Sequence, residues 1–161
     1  MSKAKETTAA AGLPPIEDLI PHRGTMLLLD RVLEFFEEEA VAEYTPQPAA
    51  WYADDNGNMP AWIGIELMAQ TIAAHVALLK RQKGLSPKMG ALLGTRSYQS
   101  SASTFAAGTV LRIRVQLVLR DDGGLGAYEC SIGADATQLA TAILKVYEPD
   151  DFATFVQGRM E

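Results

Sequence analysis

The stretch Asn58–Leu79, NMPAWIGIELMAQTIAAHVALL, decides the fold because it is the dominant apolar run in a chain of 161 residues. Pro60 suits the first turn of a helix, where its missing N–H would have no partner, and Gly84 is a typical stop after LLKRQK. Between these signals about 23 residues form a helix of roughly 35 Å that is apolar on nearly every side. We expect this helix at the centre of the fold. It nevertheless carries a carboxylate, Glu66, near its start.

Strand patterns flank the helix on both sides. TMLLLDRVLEFFEEEAVAEYTP predicts a hairpin of two strands, 26–36 and 40–45, joined at the acidic residues. After the helix, ALLGTRSYQSS and TVLRIRVQLVLR predict strands, DDGG a turn, and LGAYECSIGADATQLATAILKVYEP two more strands before a short helix at 150–157. The prediction is an α+β fold in which one antiparallel sheet wraps around one long helix. One sheet edge would remain for a second subunit.

Length and composition limit the class of protein. With 48% hydrophobic residues the chain is predicted to form one domain at 13–161, after a flexible tail at 1–12. A net charge of -6 and a pI near 4.9 argue against nucleic acid or a membrane surface as partners. The single cysteine, Cys130, and the lack of Cys/His metal spacing favour a cytoplasmic protein without a metal or other cofactor. No signal peptide or membrane span is expected.

Two motifs, in this order, resemble a known family. LIPHRGTMLLLDRVLEF at 19–35 and MPAWIGIELMAQT at 59–71 are similar to the PHR…LLVDRV and PG…EAMAQ segments of the hotdog-fold β-hydroxyacyl-acyl carrier protein dehydratases. With LLGTRSY, the chain resembles more closely a divergent branch associated with aryl polyene pigment synthesis. The resemblance implies a hotdog fold and a dimer. It also implies removal of water from a 3-hydroxyacyl thioester, carried on an acyl carrier protein, to give a trans-2-enoyl thioester.

The resemblance also assigns site residues. The reaction needs a base near C2, an acid for the departing hydroxyl, and a donor for the thioester oxygen. The family's helix carboxylate corresponds to Glu66, and Gln70, one turn further, would hold it in place. Ala61 stands at the family's helix-start glycine, whose N–H would polarise the thioester carbonyl. Apart from the resemblance, the aromatic residues Trp51, Tyr52 and Trp62 near the helix start are candidates to line an acyl or aryl channel.

The family's loop histidine is missing from this chain. Counting back from Glu66 by the family's spacing reaches Tyr52, and the loop AAWYADDNGNMP contains no histidine. His75 lies nine residues after Glu66, on roughly the opposite side of the helix, and is expected to be structural. His22 belongs to the PHR motif, which the family has in addition to its catalytic histidine. If His22 were the catalytic base, the active site would differ from that of the family.

Three explanations for the missing histidine stay open. Tyr52, Asp54 or Asp55 could replace it within a homodimer, with an aspartate acting as base. A second hotdog subunit could supply an intact histidine to a heterodimer, or the fold could retain an acyl tunnel without the reaction. The sequence therefore favours a dehydratase or dehydratase subunit. A hotdog acyl thioesterase and a non-catalytic acyl-binding subunit are the alternatives, and the basic segment KRQKGLSPK at 80–88 could meet an acidic carrier protein.

Overall fold

The computed structural model describes residues 8–9, 12–85 and 91–147. The long helix, α1, spans Gly64–Gln82 and follows a 3-10 turn at Ala61–Ile63; further 3-10 turns lie at Ile16–Asp18 and Gly24–Met26. The strands are β1 Thr8–Ala9, β2 Arg31–Phe36, β3 Glu39–Tyr44, β4 Met59–Pro60, β5 Ala91–Ser100, β6 Thr104–Phe105, β7 Leu111–Arg120, β8 Leu125–Ala134 and β9 Thr137–Tyr147. The helix predicted at 150–157 lies outside the described residues.

Seven of these strands form one antiparallel sheet wrapped around α1. Their order is β1-β2-β3-β7-β8-β9-β5, and β4 and β6 form a separate pair that leads into the helix. Helix α1 packs against six strands of the large sheet, because its apolar surface and the inner face of the sheet can leave water only together. The predicted hotdog architecture is confirmed.

Strand β7 shows how the sequence pattern selects the inner face. Leu111, Ile113 and Val115 are completely buried, while Arg112 and Arg114 between them are exposed. The predicted turn at 121–124 joins β7 to β8, and the predicted first hairpin is the β2–β3 pair. Thr8–Ala9, in the predicted tail, pairs with β2. The domain boundary at residue 13 stays a prediction.

Helix α1 is a core helix. The segment Ala61–Gln82 is long and apolar enough to cross a membrane, but 61% of its most apolar window is buried inside the protein. The helix starts later than predicted, because the chain makes a 3-10 turn at Ala61–Ile63 before the α-helix begins at Gly64. The side-chain oxygen of Asn58, just before this turn, accepts the Ala107 N–H over 3.2 Å.

The predicted strand at 26–36 is wrong in its first half. Met26 ends a 3-10 turn, and regular pairing begins only at Arg31. The backbone groups of Met26, Leu28 and Leu29 are hydrogen-bonded to the side chain of Gln70 on α1. Buried backbone groups need partners, and here a side-chain amide replaces a neighbouring strand. Leu28 and Leu29 of the apolar run MLLL are therefore buried in the core without being part of a strand.

His75 is a buried structural residue, as its position on the helix predicts. Its Nε2 lies 3.0 Å from the Phe36 carbonyl and 3.1 Å from that of Glu37, so Nε2 carries the proton. Its Nδ1 lies 2.8 Å from the Tyr128 hydroxyl and accepts from it. Burial lowers the pKa of His75 from 6.5 to about 4, because the charged ring would lose its hydration.

This histidine should make stability depend on pH. Between pH 6.5 and about 4 the unfolded chain binds a proton that the folded chain does not, so stability is complete above this window and falls as the pH drops through it. The loss should approach roughly 3 kcal/mol. Urea unfolding at several pH values measures it. The same series on His75→Gln gives the pH dependence that is due to the carboxyl groups alone, and the difference between the two series is due to His75. If the two proteins lost stability in parallel as the pH fell, the assignment to His75 would be wrong.

Candidate active site

Glu66 lies in the first turn of α1, where the partial positive charge of a helix start favours an acidic side chain. The carboxylate reaches the edge of the core, and in the single chain its side chain is 40% exposed. Two side chains approach the same oxygen, Oε2, which lies 2.9 Å from Nε2 of Gln70 and 3.5 Å from Nε2 of His22. The other oxygen, Oε1, has no hydrogen bond within the described residues. It remains available to a ligand.

The amide of Gln70 is completely buried, and all of its hydrogen-bonding capacity is used. Its nitrogen donates to Glu66 and, over 2.7 Å, to the Met26 carbonyl. Its oxygen accepts the N–H groups of Leu28 at 3.1 Å and Leu29 at 3.4 Å. The predicted contact between Gln70 and Glu66 is therefore present. The structure adds that the same amide fixes the segment that follows His22.

The segment around His22 is braced by two more side chains. The Arg23 guanidinium donates to the carbonyl oxygens of Glu17, Ile20 and His22, and the Trp51 indole N–H donates to that of Thr25. A guanidinium offers five donors in a planar fork and can hold several carbonyls at once. These bonds fix the backbone that presents His22 to the helix. The PHR motif contains Arg23, but its bracing role has no signal in the sequence.

The two ring nitrogens of His22 differ. Nδ1 is buried and has no hydrogen-bond partner among the described residues, while Nε2 faces Glu66. A proton on Nδ1 would be a buried donor without an acceptor, which costs about 1–3 kcal/mol. The neutral ring therefore favours the tautomer with its proton on Nε2, directed at the carboxylate. The separation of 3.5 Å is longer than a good hydrogen bond, and such contacts often tighten when substrate binds.

The loop residues proposed to replace the missing histidine have structural partners of their own. The Tyr52 hydroxyl lies 2.5 Å from that of Tyr44 and accepts the Gln47 N–H, and its side chain is buried. The Asp54 carboxylate accepts the N–H groups of Asn56 and Asn58 in a local turn. Across the part of the chain that the structure describes, no hydrogen bond joins either residue to Glu66. Asp55, the third alternative, is exposed.

The helix start also departs from the predicted arrangement. The Ala61 N–H, expected to polarise a thioester carbonyl, donates to the Ser103 carbonyl over 2.9 Å. A helix start has several N–H groups without intrahelical acceptors, so those of Trp62 and Ile63 are the next donors. The indoles predicted to line a channel are largely exposed, Trp51 by 56% and Trp62 by 66%, as is Met26.

The architecture and this helix carboxylate define the class: the chain is a hotdog-fold protein with an acid at the start of its central helix. The family model for ApeP-like proteins, described as ApeP dehydratase, matches residues 14–157. The chain therefore belongs to the ApeP-like dehydratase family. Its function is that of a hotdog dehydratase or dehydratase subunit.

Solved structures agree with this assignment. A chain of the dehydratase heterocomplex ApeI:P from Xenorhabdus doucetiae is similar with a TM-score of 0.83 and 26% identity, over 90% of this chain and 97% of that chain. A hypothetical thioesterase with coenzyme A from Streptococcus pneumoniae TIGR4 has a TM-score of 0.59 and 13% identity, over 73% and 84% of the two chains. That second likeness shows the shared fold alone. No curated protein sequence matches the chain.

Removing the Gln70 amide should loosen the segment that carries His22. Gln70→Leu keeps a similar volume but leaves the buried Leu28 and Leu29 N–H groups without an acceptor, so we expect a loss of about 3 kcal/mol in unfolding free energy. Urea unfolding measures this loss. The matched control is Gln116→Leu on the exposed face of β7, with an expected change below about 0.5 kcal/mol. Equal stability of the two variants would refute the role given to Gln70.

Proposed function

We propose that Glu66 is the acid/base group of a 3-hydroxyacyl thioester dehydratase and that His22 and Gln70 orient it. The observation that carries the proposal is the asymmetry of the carboxylate. Both neighbouring donors approach Oε2, so Oε1 is left for the substrate. A carboxylate held by donors on one oxygen presents the other in a defined direction, which is what proton transfer to or from carbon requires.

A single carboxylate can balance the protons of this reaction. Glu66 takes the proton from C2 of the 3-hydroxyacyl thioester, and the C–O bond at C3 breaks as the double bond forms. The protonated Glu66 then gives that proton to the departing hydroxyl, which leaves as water. His22 keeps its Nε2 proton throughout and acts as a positioning donor. In this chain the histidine supports the acid from the same subunit, without taking the C2 proton.

Negative charge develops on the thioester oxygen during this step and needs a donor. We assign that role to the Trp62 N–H, one residue beyond the predicted position, because the Ala61 N–H is already bonded to Ser103. The helix dipole adds to the effect at this end. The exposed faces of Trp51, Trp62 and Met26 lie on the segments that form the site, and would cover an apolar acyl or aryl chain.

The site is open in the single chain, and this openness favours a second subunit. A dehydratase site that excludes water strengthens its electrostatic interactions, yet Glu66 is 40% exposed here. Strand β5 ends the sheet and has a hydrogen-bonded neighbour, β9, on one side. A similar chain belongs to a heterocomplex. We therefore propose a second hotdog subunit at the β5 edge, covering the site.

We propose an acyl carrier protein as the donor of the thioester, as the dehydratase resemblance implies. The basic segment considered for docking begins in the last turn of α1, whereas Glu66 is in the first turn. Fourteen residues separate Lys80 from Glu66, which corresponds to about 21 Å along the helix. Arg81 donates to the Asp18 carbonyl, and residues 86–88 of the segment lie outside the described residues. Docking would be remote from the acid.

Replacing the acid tests the reaction. In a complex with a second hotdog subunit, Glu66→Gln should lower enoyl formation from a 3-hydroxyacyl carrier protein by about 10²–10⁴-fold, the usual contribution of a general acid/base. Absorbance of the conjugated enoyl thioester follows the reaction, and a thiol assay detects hydrolysis. The control is Glu129→Gln on the exposed face of β8. Full dehydration by Glu66→Gln would indicate a non-catalytic subunit, and thiol release without enoyl product a thioesterase.

Substitutions of His22 distinguish a positioning donor from a base. His22→Gln retains an N–H donor at the place of Nε2, so it should keep within about tenfold of the wild-type kcat, while His22→Leu should lose about 100-fold. Steady-state rates on the same complex measure both. If His22 were the base, the two variants would be equally inactive, and the assignment of Glu66 as the proton acceptor would be wrong.

A further inference from the structure

Tyr98 connects the edge strand β5 to the start of the helix that holds Glu66. Its hydroxyl donates to the Ala61 carbonyl over 2.5 Å, and its ring is half-buried. The N–H of the same alanine is bonded to Ser103 in the connection between β5 and β6. Both backbone groups of Ala61 are therefore held by the chain segment that includes the sheet edge. None of the family motifs discussed above gives Tyr98 a role.

The helix start is shaped to receive this hydroxyl. A Cβ atom added to Gly64 would lie 2.5 Å from the Tyr98 hydroxyl and 2.9 Å from Cδ1 of Ile132. The first of these distances is far shorter than any allowed contact. The first residue of α1 is thus a glycine because the tyrosine passes directly over it, and not because of an unusual backbone angle, since Gly64 has φ -56°.

The edge strand is distorted at the residue before Tyr98. Ser97 has φ 58°, a left-handed conformation that is uncommon for residues other than glycine. The pairing of β5 with β9 shifts register between Arg96 and Gln99, so Ser97 and Tyr98 form a β-bulge. Bulges redirect side chains and are frequent beside active sites. Here the bulge accompanies a tyrosine whose hydroxyl reaches the helix start.

We propose that Tyr98 is a positioning residue, which fixes the first turn of the central helix, and with it Glu66, to the strand where a second subunit would add. This inference rests on the proposed function for its effect on catalysis. Its structural part stands alone. Glu66 follows Ala61 by little more than one helical turn, so freedom at Ala61 would move the carboxylate relative to His22.

The effect on the helix start can be measured on the chain without substrate. In a Trp51→Phe background, Trp62 is the sole tryptophan and lies next to Ala61. Tyr98→Phe should at least double the amplitude of the fast phase in the fluorescence anisotropy decay of Trp62, with a fall in melting temperature of about 2–4 °C. Gln99→Ala, an exposed neighbour on β5, is the control and should leave the decay unchanged. An unchanged decay in Tyr98→Phe would overturn the proposal.

A double-mutant cycle tests the contact across Gly64. Gly64→Ala should lower the melting temperature by about 5 °C or more beside Tyr98, because overpacking of this kind costs about 1–3 kcal/mol. In Tyr98→Phe, which removes the clashing oxygen, the same substitution should lose at least half of that effect. Additive effects would contradict the assigned contact. A Tyr98→Phe chain that does not fold would also contradict it, because Tyr98 would then be a general core residue.

The consequence for catalysis is measured in the complex with a second hotdog subunit. Tyr98→Phe should lower kcat by about tenfold or more and change KM by less than about twofold, because the acid is displaced while the acyl surface is intact. A rise in KM at unchanged kcat would refute the positioning role. If the wild-type complex shows no dehydration, the proposed function fails. The anisotropy decay and the double-mutant cycle would still decide whether Tyr98 fixes the helix start.

Discussion

The side-chain amide of Gln70 is the contact on which the site depends. It is buried, and its four hydrogen bonds connect the helix carboxylate to the backbone at Met26, Leu28 and Leu29. Because the segment 26–29 has no strand to pair with, the Leu28 and Leu29 N–H groups and the Met26 carbonyl would lose their partner without this amide. One side chain thus stabilises an irregular segment under the helix. It also fixes the direction of Glu66.

The fold places this contact at a boundary between apolar core and solvent. Most of α1 is enclosed by the sheet, while the Glu66 side chain in its first turn is 40% exposed. A carboxylate is tolerated there because it meets donors and the positive end of the helix, and still retains part of its hydration. The 3-10 turn that precedes α1 is held at Ala61 by Tyr98 of β5 and by Ser103 of the β5–β6 connection. Acid, aromatic surface and sheet edge therefore converge at one end of the helix.

Much of the fold was predictable because it follows from periodic burial. The alternation of Leu111, Ile113 and Val115 with charged residues specified the inner face of β7, and the turn at 121–124 followed from its residue types. The pattern failed at 26–30, where the apolar residues MLLL fit a strand equally well. What excludes the strand is the Gln70 amide, which lies about forty residues further along the chain. No local pattern contains that information.

The candidate site was predictable in a similar, partial way. Glu66 and Gln70 are one helical turn apart, and helical geometry alone brings them together. Tyr52 and Asp54 form hydrogen bonds within the loop and to Tyr44 in the single chain, and their role across a homodimer stays a prediction. Ala61 was placed correctly at the helix start, and its N–H is nevertheless taken by Ser103. Ser103 lies about forty residues further along the chain, so the loss of this N–H as a donor to substrate is decided by an atom distant in sequence.

By itself the sequence determined a central apolar helix, an antiparallel sheet around it, and an acid and an amide on one helical face. These features arise from spacing along the chain, which fixes direction on a helix or strand. The tertiary structure decided that His22 of the same chain lies beside Glu66, and that Tyr98 reaches across Gly64. The physical reason is that both approaches depend on how an irregular segment and a bulged strand pack against the helix. Such contacts join residues far apart in the sequence, and no helix or strand periodicity predicts them.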